Sequence, residues 1–335
     1  MKLIIQIPAL NEESVLPITL GDLPRQVAGF DQVEWLLIDD GSSDRTIEVA
    51  REHGVDHVVK LTTNRGLAAA FQAGLDASLK LGADVIVNTD ADNQYRAADI
   101  PRLVEPIVAG RADMVVGNRE VANIEHFSRP KKLLQRIGSW VVRRASGTDV
   151  PDATSGFRAY NREAAIQTIV VSEFTYTLES LIQAGKMLVA VDHVPVRTNE
   201  VLRESRLFPS VRSYVGRNAL SIFRTYSMYH PLRVFTGAAI VLAIAALGAF
   251  TPFVYDWIAN GDTSGHVQSL ILGAVLSIAA VQTMALGVVG DILAGQRVIT
   301  QRVFERVRRI ELQLGVEPSH YAGETAPERE PLTIE

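Results

Sequence analysis

Short runs of consecutive apolar, often β-branched residues recur through the first two-thirds of the chain, at 3–7, 33–38, 57–61, 84–87, 113–116 and 187–191. Unbroken runs of this length predict strands covered on both faces. Between them lie helix-like segments, including an Ala-rich stretch at 66–81 and another at 101–109. The alternation predicts an α/β sandwich around a mostly parallel sheet. In such sheets ligands bind beyond the carboxyl ends of the strands. Polar clusters fall at four consecutive run ends: PALNEE, DDGSSDRT, NRG and TDADNQ. Singly each has an ordinary use, since Ser43 or Asp44 can cap a helix over 45–51 and Asn64 one starting at Arg65. Together they point to a nucleotide-type site.

The pattern changes near the C-terminus. Residues 232–254 form an apolar run of about 23 residues, roughly 35 Å as a helix against a hydrocarbon core of ~30 Å. A second run covers 267–292. Arg212, Arg217, Arg224 and Arg233 precede the pair, Arg297, Arg302, Arg306, Arg308 and Arg309 follow it, and the connection YDWIANGDTSGH has no Lys or Arg. This bias predicts a two-span membrane hairpin with the catalytic part and both termini cytoplasmic. A buried core hairpin would need a larger soluble domain around it. Before the first run, Val211, Tyr214, Val215, Ile222, Tyr226 and Tyr229 share one helical face opposite Arg217 and Arg224. That suits an amphipathic helix in the headgroup layer; a helix packed on the catalytic domain has the same pattern.

Composition narrows the chemistry. The 335 residues include no cysteine, which excludes disulfides, thiolate nucleophiles and Cys-ligated zinc. The histidines show no metal-ligand spacing. The net charge of −5 is concentrated in residues 316–335, with five Glu and one Arg; that tail has three prolines and no apolar periodicity and predicts disorder. Met1-Lys2 opens a short apolar run that Pro8 stops, unlike a signal peptide. No nucleic-acid partner is expected.

Asp90 and Asp92 stand two residues apart where the run 84–87 ends. Paired carboxylates there suit a hard divalent cation that in turn holds a phosphate. IPALNEE, DDGSSDRT, NRGLAAA, DADNQ and DATSGFRAY, in this order, resemble the family 2 glycosyltransferases of GT-A fold. More narrowly they resemble the dolichyl- and polyprenyl-phosphate sugar synthases, of the dolichol-phosphate mannose synthase type, which append membrane helices. The resemblance covers about residues 2–292. It implies that Asp90, Asp92 and Gln94 hold Mg²⁺ or Mn²⁺ against the diphosphate of a nucleotide sugar, with Ala91 between them at the donor. It places Pro8, Glu12, Asp39 and Asp40 at base and ribose, and Arg119 at the active site, where an ordinary surface-loop arginine is the other reading. Asp152, opening DATSGFR, would orient the sugar or the acceptor.

The acceptor implied is a polyprenyl phosphate, which is already anionic and needs steering cations rather than a full base. SRPKKLLQR and VLRESRLFPS supply Lys131, Lys132, Arg136, Arg203 and Arg206. An ordinary solvated basic face is the alternative for these five. Ser205-Arg206 stands where the family often has Ser-Lys, and Glu200 where it has an earlier Arg.

The chain therefore divides into a GT-A catalytic domain at 1–209, an amphipathic juxtamembrane helix at 210–231, a two-helix transmembrane hairpin at 232–292, and a basic exit with a disordered acidic tail at 293–335. The expected reaction is inverting transfer of a hexose from GDP-mannose or UDP-glucose to a polyprenyl or dolichyl phosphate. Two other readings stay open. A processive polysaccharide synthase would carry a QxxRW segment, and none of Trp35, Trp140 and Trp257 follows an Arg. A non-catalytic membrane scaffold would not need the paired carboxylates. Gly237, Ala238, Gly273 and Ala274 leave room for close helix packing, within the hairpin or in a homo-oligomer.

Overall fold

A computed structural model describes residues 1–119, 138–144, 146–170, 176–199, 223–224, 226–261 and 266–324. The candidate cations Lys131, Lys132, Arg136, Arg203 and Arg206, and most of the amphipathic stretch, lie outside the described residues. Contacts divide the chain into two units: 1–222 together with 303–335, and 223–302.

The first unit is built on an eight-stranded sheet. In chain order its elements are β1 (Lys2–Ala9), α1 (Leu16–Asp22), β2 (Gln32–Asp39), α2 (Thr46–Glu52), β3 (His57–Lys60), α3 (Leu67–Lys80) and β4 (Val85–Asn88). There follow α4 (Ile100–Val108), β5 (Met114–Asn118), β6 (Arg158–Asn161), α5 (Arg162–Gln167), α6 (Tyr176–Lys186) and β7 (Val191–Pro195). Two helices, α7 (Pro231–Asn260) and α8 (Val267–Gln313), and a last strand β8 (Tyr321–Glu324) complete the chain. The strand order is β7-β5-β6-β4-β1-β2-β3-β8. Strands β1–β5 and β7 run one way, and β6 and β8 run against them.

Both faces of the sheet are covered, which is why the strands read as unbroken apolar runs. Leu3, Ile5, Ile7, Leu37, Val87 and Val115 pack in one core. The alternate residues Gln6 and Ile38 meet α3 at Gly74, where a Cβ would lie 2.7 Å from Gln6 Oε1 and 2.9 Å from Ile38 Cδ1. Gln6 is fully buried and donates to Asn88 Oδ1 of its paired strand at 2.8 Å.

The structure departs from the expected elements in three places. The run 187–191 is a turn with Leu188 at φ 58°, and the strand follows at Val191–Pro195. Strand β6 has no apolar run, because Arg158 is its largest fully buried side chain. Its guanidinium donates to the carbonyls of Ser155 and Ala153 and to Ser180 Oγ, at 2.7–2.8 Å. Third, residues 293–324 are not a simple exit and tail. Helix α8 continues to Gln313, and Tyr321–Glu324 pairs antiparallel with β3.

The last turns of α8 dock by charge. Arg308 is 3% exposed, and its Nη1 donates to the carbonyls of Ala165, Ile166 and Thr168 at 3.0–3.2 Å. These lie at the C-terminal end of α5, where carbonyls lack helical partners and favour a cation. Arg309 pairs with Glu163, and Lys80 with Glu311 at 3.3 Å. A helix that buries its arginine gives no apolar signal in the sequence.

In the second unit α7 and α8 are long and apolar enough to cross a membrane, and only 11% and 17% of their most apolar windows is buried. A core hairpin would bury far more. Gly273 receives the ring of Phe250, and Gly287 the Cβ of Phe235, at distances where a Cβ of their own would lie within 2.6–2.8 Å. Gly273 thus serves packing inside the hairpin, while Gly237 faces open space.

Replacing Arg308 by Ala leaves three carbonyls without their donor at a buried helix end. We expect a loss of about 2–4 kcal/mol in stability of the first unit, read from chemical denaturation of the full chain in detergent.

Candidate active site

The parallel strands bring their carboxyl ends to one edge. Asn11 and Glu12 follow β1, Asp39 and Asp40 close β2, Asp90 and Asp92 follow β4, and Arg119 follows β5. Because β6 runs the other way, its preceding segment 152–157 arrives at the same edge. Asn88 ties two of these loops by donating to Gly156 O at 2.9 Å.

Arg119 is no surface-loop residue: its side chain is 8% exposed, against 1% for Asp152. Its Nε donates to Asp152 Oδ2 at 2.7 Å and its Nη2 to Asp152 Oδ1 at 3.0 Å, a bidentate pair. Nη2 also donates to Thr154 Oγ1 at 2.9 Å, and Thr154 Oγ1 in turn donates to Asp152 Oδ1 at 3.0 Å. Burial alone would raise the Asp152 carboxyl; Arg119 and Thr154 overcome it and hold the group below its ordinary range. Asp152 is thus a committed anion.

Asp90 is in the opposite position. Burial first, then Asp92 and Glu12, push its carboxyl up to about 7, and Arg119 only partly offsets them. Among the described residues, negative charge is gathered here beyond what Arg119 offsets. Tyr95 OH accepts from Gly156 N at 2.9 Å, and a Cβ on Gly156 would lie 3.4 Å from Asp90 Oδ1 and 2.6 Å from Tyr176 OH. Glycine is therefore required for the loop to come this close. Gln94 N donates to Asp92 Oδ1 at 3.1 Å, fixing Asp92 on its turn.

On the β2 side, Asp39 is fully buried and accepts from Ser42 N at 3.2 Å. Both oxygens of Asp40 are engaged, by Arg65 N at 2.8 Å and Gly66 N at 2.9 Å. Burial still raises Asp40 above its ordinary value. Glu12 is buried, and its N–H donates to Thr46 Oγ1. Pro8, in β1, pairs in register with Ile38. Helix α2 begins at Thr46 with Asp44 Oδ1 accepting from Thr46 N, and α3 begins at Leu67 with Asn64 Oδ1 accepting from Gly66 N.

Among the described residues no group of three or more His, Asp or Glu is placed to hold a metal. The carboxylates present are the pair Asp90 and Asp92, half-buried, with Ala91 buried between them and Gln94 two residues on. Two carboxylates with unmet charge fit a divalent cation that takes its remaining ligands from phosphate and water. Residues that sequence reasoning missed are Thr154, Tyr95, Tyr176 and Asn88, whose roles arise only from contacts across the chain.

Residues 4–168 match the model of the family described as "Glycosyl transferase family 2". An undecaprenyl-phosphate mannosyltransferase of Micrococcus luteus is 30% identical over 235 residues, 67% of this chain and 93% of that protein. The chain belongs to glycosyl transferase family 2. The chain is also similar to a UDP-N-acetylglucosamine–dolichyl-phosphate N-acetylglucosaminyltransferase of Methanococcus voltae, 28% identical over 57% of this chain and 83% of that one. Among solved structures, glucosyl-3-phosphoglycerate synthase of Mycobacterium tuberculosis, in complex with Mn²⁺, UDP-glucose and phosphoglyceric acid, superposes with a TM-score of 0.53 at 22% identity. It covers 68% of this chain and 78% of its own. That likeness shows the GT-A fold.

In this family 2 member the Arg119–Asp152 pair is the buried keystone of the site. Asp152→Ala strands the guanidinium and should cost about 3–5 kcal/mol, measured by denaturant unfolding. Because the folded Asp152 carboxyl lies below its unfolded value of ~3.9, its contribution is present above that pH and lost as pH falls below it. The wild-type-to-variant gap should therefore close in acid.

Proposed function

We propose that the protein transfers a hexose, with inversion, from a nucleotide-diphosphate sugar to a polyprenyl phosphate at the cytosolic face of a membrane. The observation that carries this is the carboxyl pair Asp90 and Asp92 after β4, with Asp90 pushed up by burial and by its acidic neighbours, in a family 2 chain with two membrane-length helices. The two family relatives named above differ in sugar and share a polyprenyl-type phosphate acceptor by name. GDP-mannose and UDP-glucose are the donors proposed.

Asp90, Asp92 and Gln94 would hold Mg²⁺ or Mn²⁺, and Mn²⁺ accompanies UDP-glucose in the structural neighbour. When bound, the cation neutralises charge developing on the departing diphosphate. Pro8, Glu12 and Asp39 line the nucleotide side, and Asp40 holds the Arg65–Gly66 backbone there. Arg119, fixed by Asp152, keeps positive charge close to Asp90 and the leaving group. The acceptor phosphate oxygen forms the new bond to the anomeric carbon as the bond to the β-phosphate breaks, and the electron pair leaves with the nucleoside diphosphate. No proton need be removed, so no base is required. Lys131, Lys132, Arg136, Arg203 and Arg206 are the proposed cations for that phosphate. The Arg bias around the spans supports a cytoplasmic side for both termini, with Arg308 and Arg309 engaged in docking.

The test is transfer of labelled hexose from GDP-mannose and UDP-glucose to short-chain polyprenyl phosphate in detergent. One EDTA-sensitive, single-sugar glycolipid is expected. A growing polymer would favour a processive synthase, and donor binding without transfer a scaffold. Asp92→Ala should lower Mn²⁺-dependent donor affinity at least 10-fold by calorimetry; an unchanged affinity would remove the metal role.

A pH dependence follows from Asp90. Proton and cation compete for a carboxyl that titrates at about 7 in the metal-free protein. Mn²⁺ affinity should fall about tenfold per pH unit below that value and level off above it. Asp90→Asn should flatten the profile.

A further inference from the structure

The turn that carries Asp92 and Gln94 has an internal tie, from Gln94 N to Asp92 Oδ1, and is held from outside as well. Asn93, between them, sits at φ 57°, a left-handed conformation that costs a non-glycine residue on the order of 1 kcal/mol. Asn93 is buried, and its Nδ2 donates to Asp22 Oδ2 at the end of α1 at 3.0 Å. The second tie comes from the segment leaving β7. Asn199 Nδ2 donates to Asn93 O at 3.0 Å, and Asn199 N donates to Gln94 O at 3.0 Å. One residue therefore grips two successive carbonyls, that of Asn93 between the proposed metal ligands and that of Gln94 just after them.

The rest of that segment zips alongside without touching the turn's carbonyls. Thr198 bridges Tyr95, Arg96 N donates to Arg197 O at 3.3 Å, and Arg197 N donates to Asp99 Oδ2 at 2.8 Å. Backbone pairing alone would close the sheet here. The Asn199 side chain adds a hydrogen bond that serves only the turn. In metal sites such outer partners set the orientation of the ligands.

We infer that Asn199 is a positioning residue for the metal-binding turn, holding Asp92 and Gln94 at the separation the cation requires. This rests on the metal reading of Asp90, Asp92 and Gln94 given above, and it adds a residue that no motif of the sequence contains. Asn199 touches neither sugar nor phosphate in this role. Its effect is on cation affinity.

The test measures Mn²⁺ alone, by the EPR signal of the free aquo ion, on the full chain in detergent at pH 8. Three variants are compared with wild type: Asn199→Ala, Asn199→Asp and Arg102→Ala. Arg102 Nη1 donates to Pro195 O, on the same segment but away from the turn, so its loss reports general loosening. Asn199→Ala should weaken Mn²⁺ binding about 10-fold or more, the usual effect of losing an outer partner. Asn199→Asp should weaken it too, although its added negative charge would by itself attract the cation. Arg102→Ala should bind as wild type, and circular dichroism should show all three folded, with the Asp variant carrying the comparison if the Ala variant melts early. Wild-type affinity in Asn199→Ala, tighter binding in Asn199→Asp, or equal weakening in Arg102→Ala each overturns the inference while leaving the metal reading intact. If wild type itself binds no Mn²⁺, the metal reading fails and takes the inference with it.

Discussion

The site depends on one buried guanidinium. A parallel sheet delivers its loops to one edge, and in this chain those loops carry Glu12, Asp39, Asp40, Asp90, Asp92 and Asp152. So many carboxyl groups in a weakly solvated edge would repel one another and resist ionisation. Arg119 resolves part of this by closing on Asp152 through a fork of hydrogen bonds, which leaves that carboxylate charged and immobile. What it does not resolve is the charge at Asp90. Among the described residues the arrangement leaves Asp90 raised, a condition that fits the cation and diphosphate proposed above.

The geometry that makes this possible is the reversal at β6. Had that strand run with its neighbours, the segment 152–157 would lie at the far edge and Arg119 would face Asp90 without Asp152. The reversed strand also demands a short approach, met by Gly156 beneath Tyr95 and Tyr176. Fold and chemistry thus meet in a strand whose own largest side chain, Arg158, holds the preceding loop and ties it to Ser180 of α6.

Much of this was legible in the chain. Runs covered on both faces, such as those ending at Ile7, Ile38 and Val87, match β1, β2 and β4, because burial on both sides leaves an uninterrupted apolar signature. The polar clusters after them fall at one edge because parallel strands end on the same side. What escaped was whatever depends on residues distant in sequence. Arg119 and Asp152 are separated by 33 positions, and their pairing is visible only once β5 and β6 are adjacent. Strand β6 and the docked end of α8 were hidden because each buries an arginine, and hydrophobic periodicity has no term for that. The turn at Leu188 displaced β7 by four residues, since a left-handed leucine leaves no mark in the pattern.

The short strand β8 has a consequence for how this protein is handled. It closes the outer side of β3 by antiparallel pairing, with Tyr321 OH and His57 Nδ1 2.8 Å apart. It is the last strand on that side and only four residues long, so the edge it leaves is short. Residues 321–324 look dispensable in a sequence of prolines and glutamates, and trimming them is an obvious step toward a better-behaved sample. It would instead bare a row of unpaired amides and carbonyls on β3, a ready template for strand-to-strand association between molecules. The acidic tail, at its start, covers β3 and leaves a shorter edge in its place.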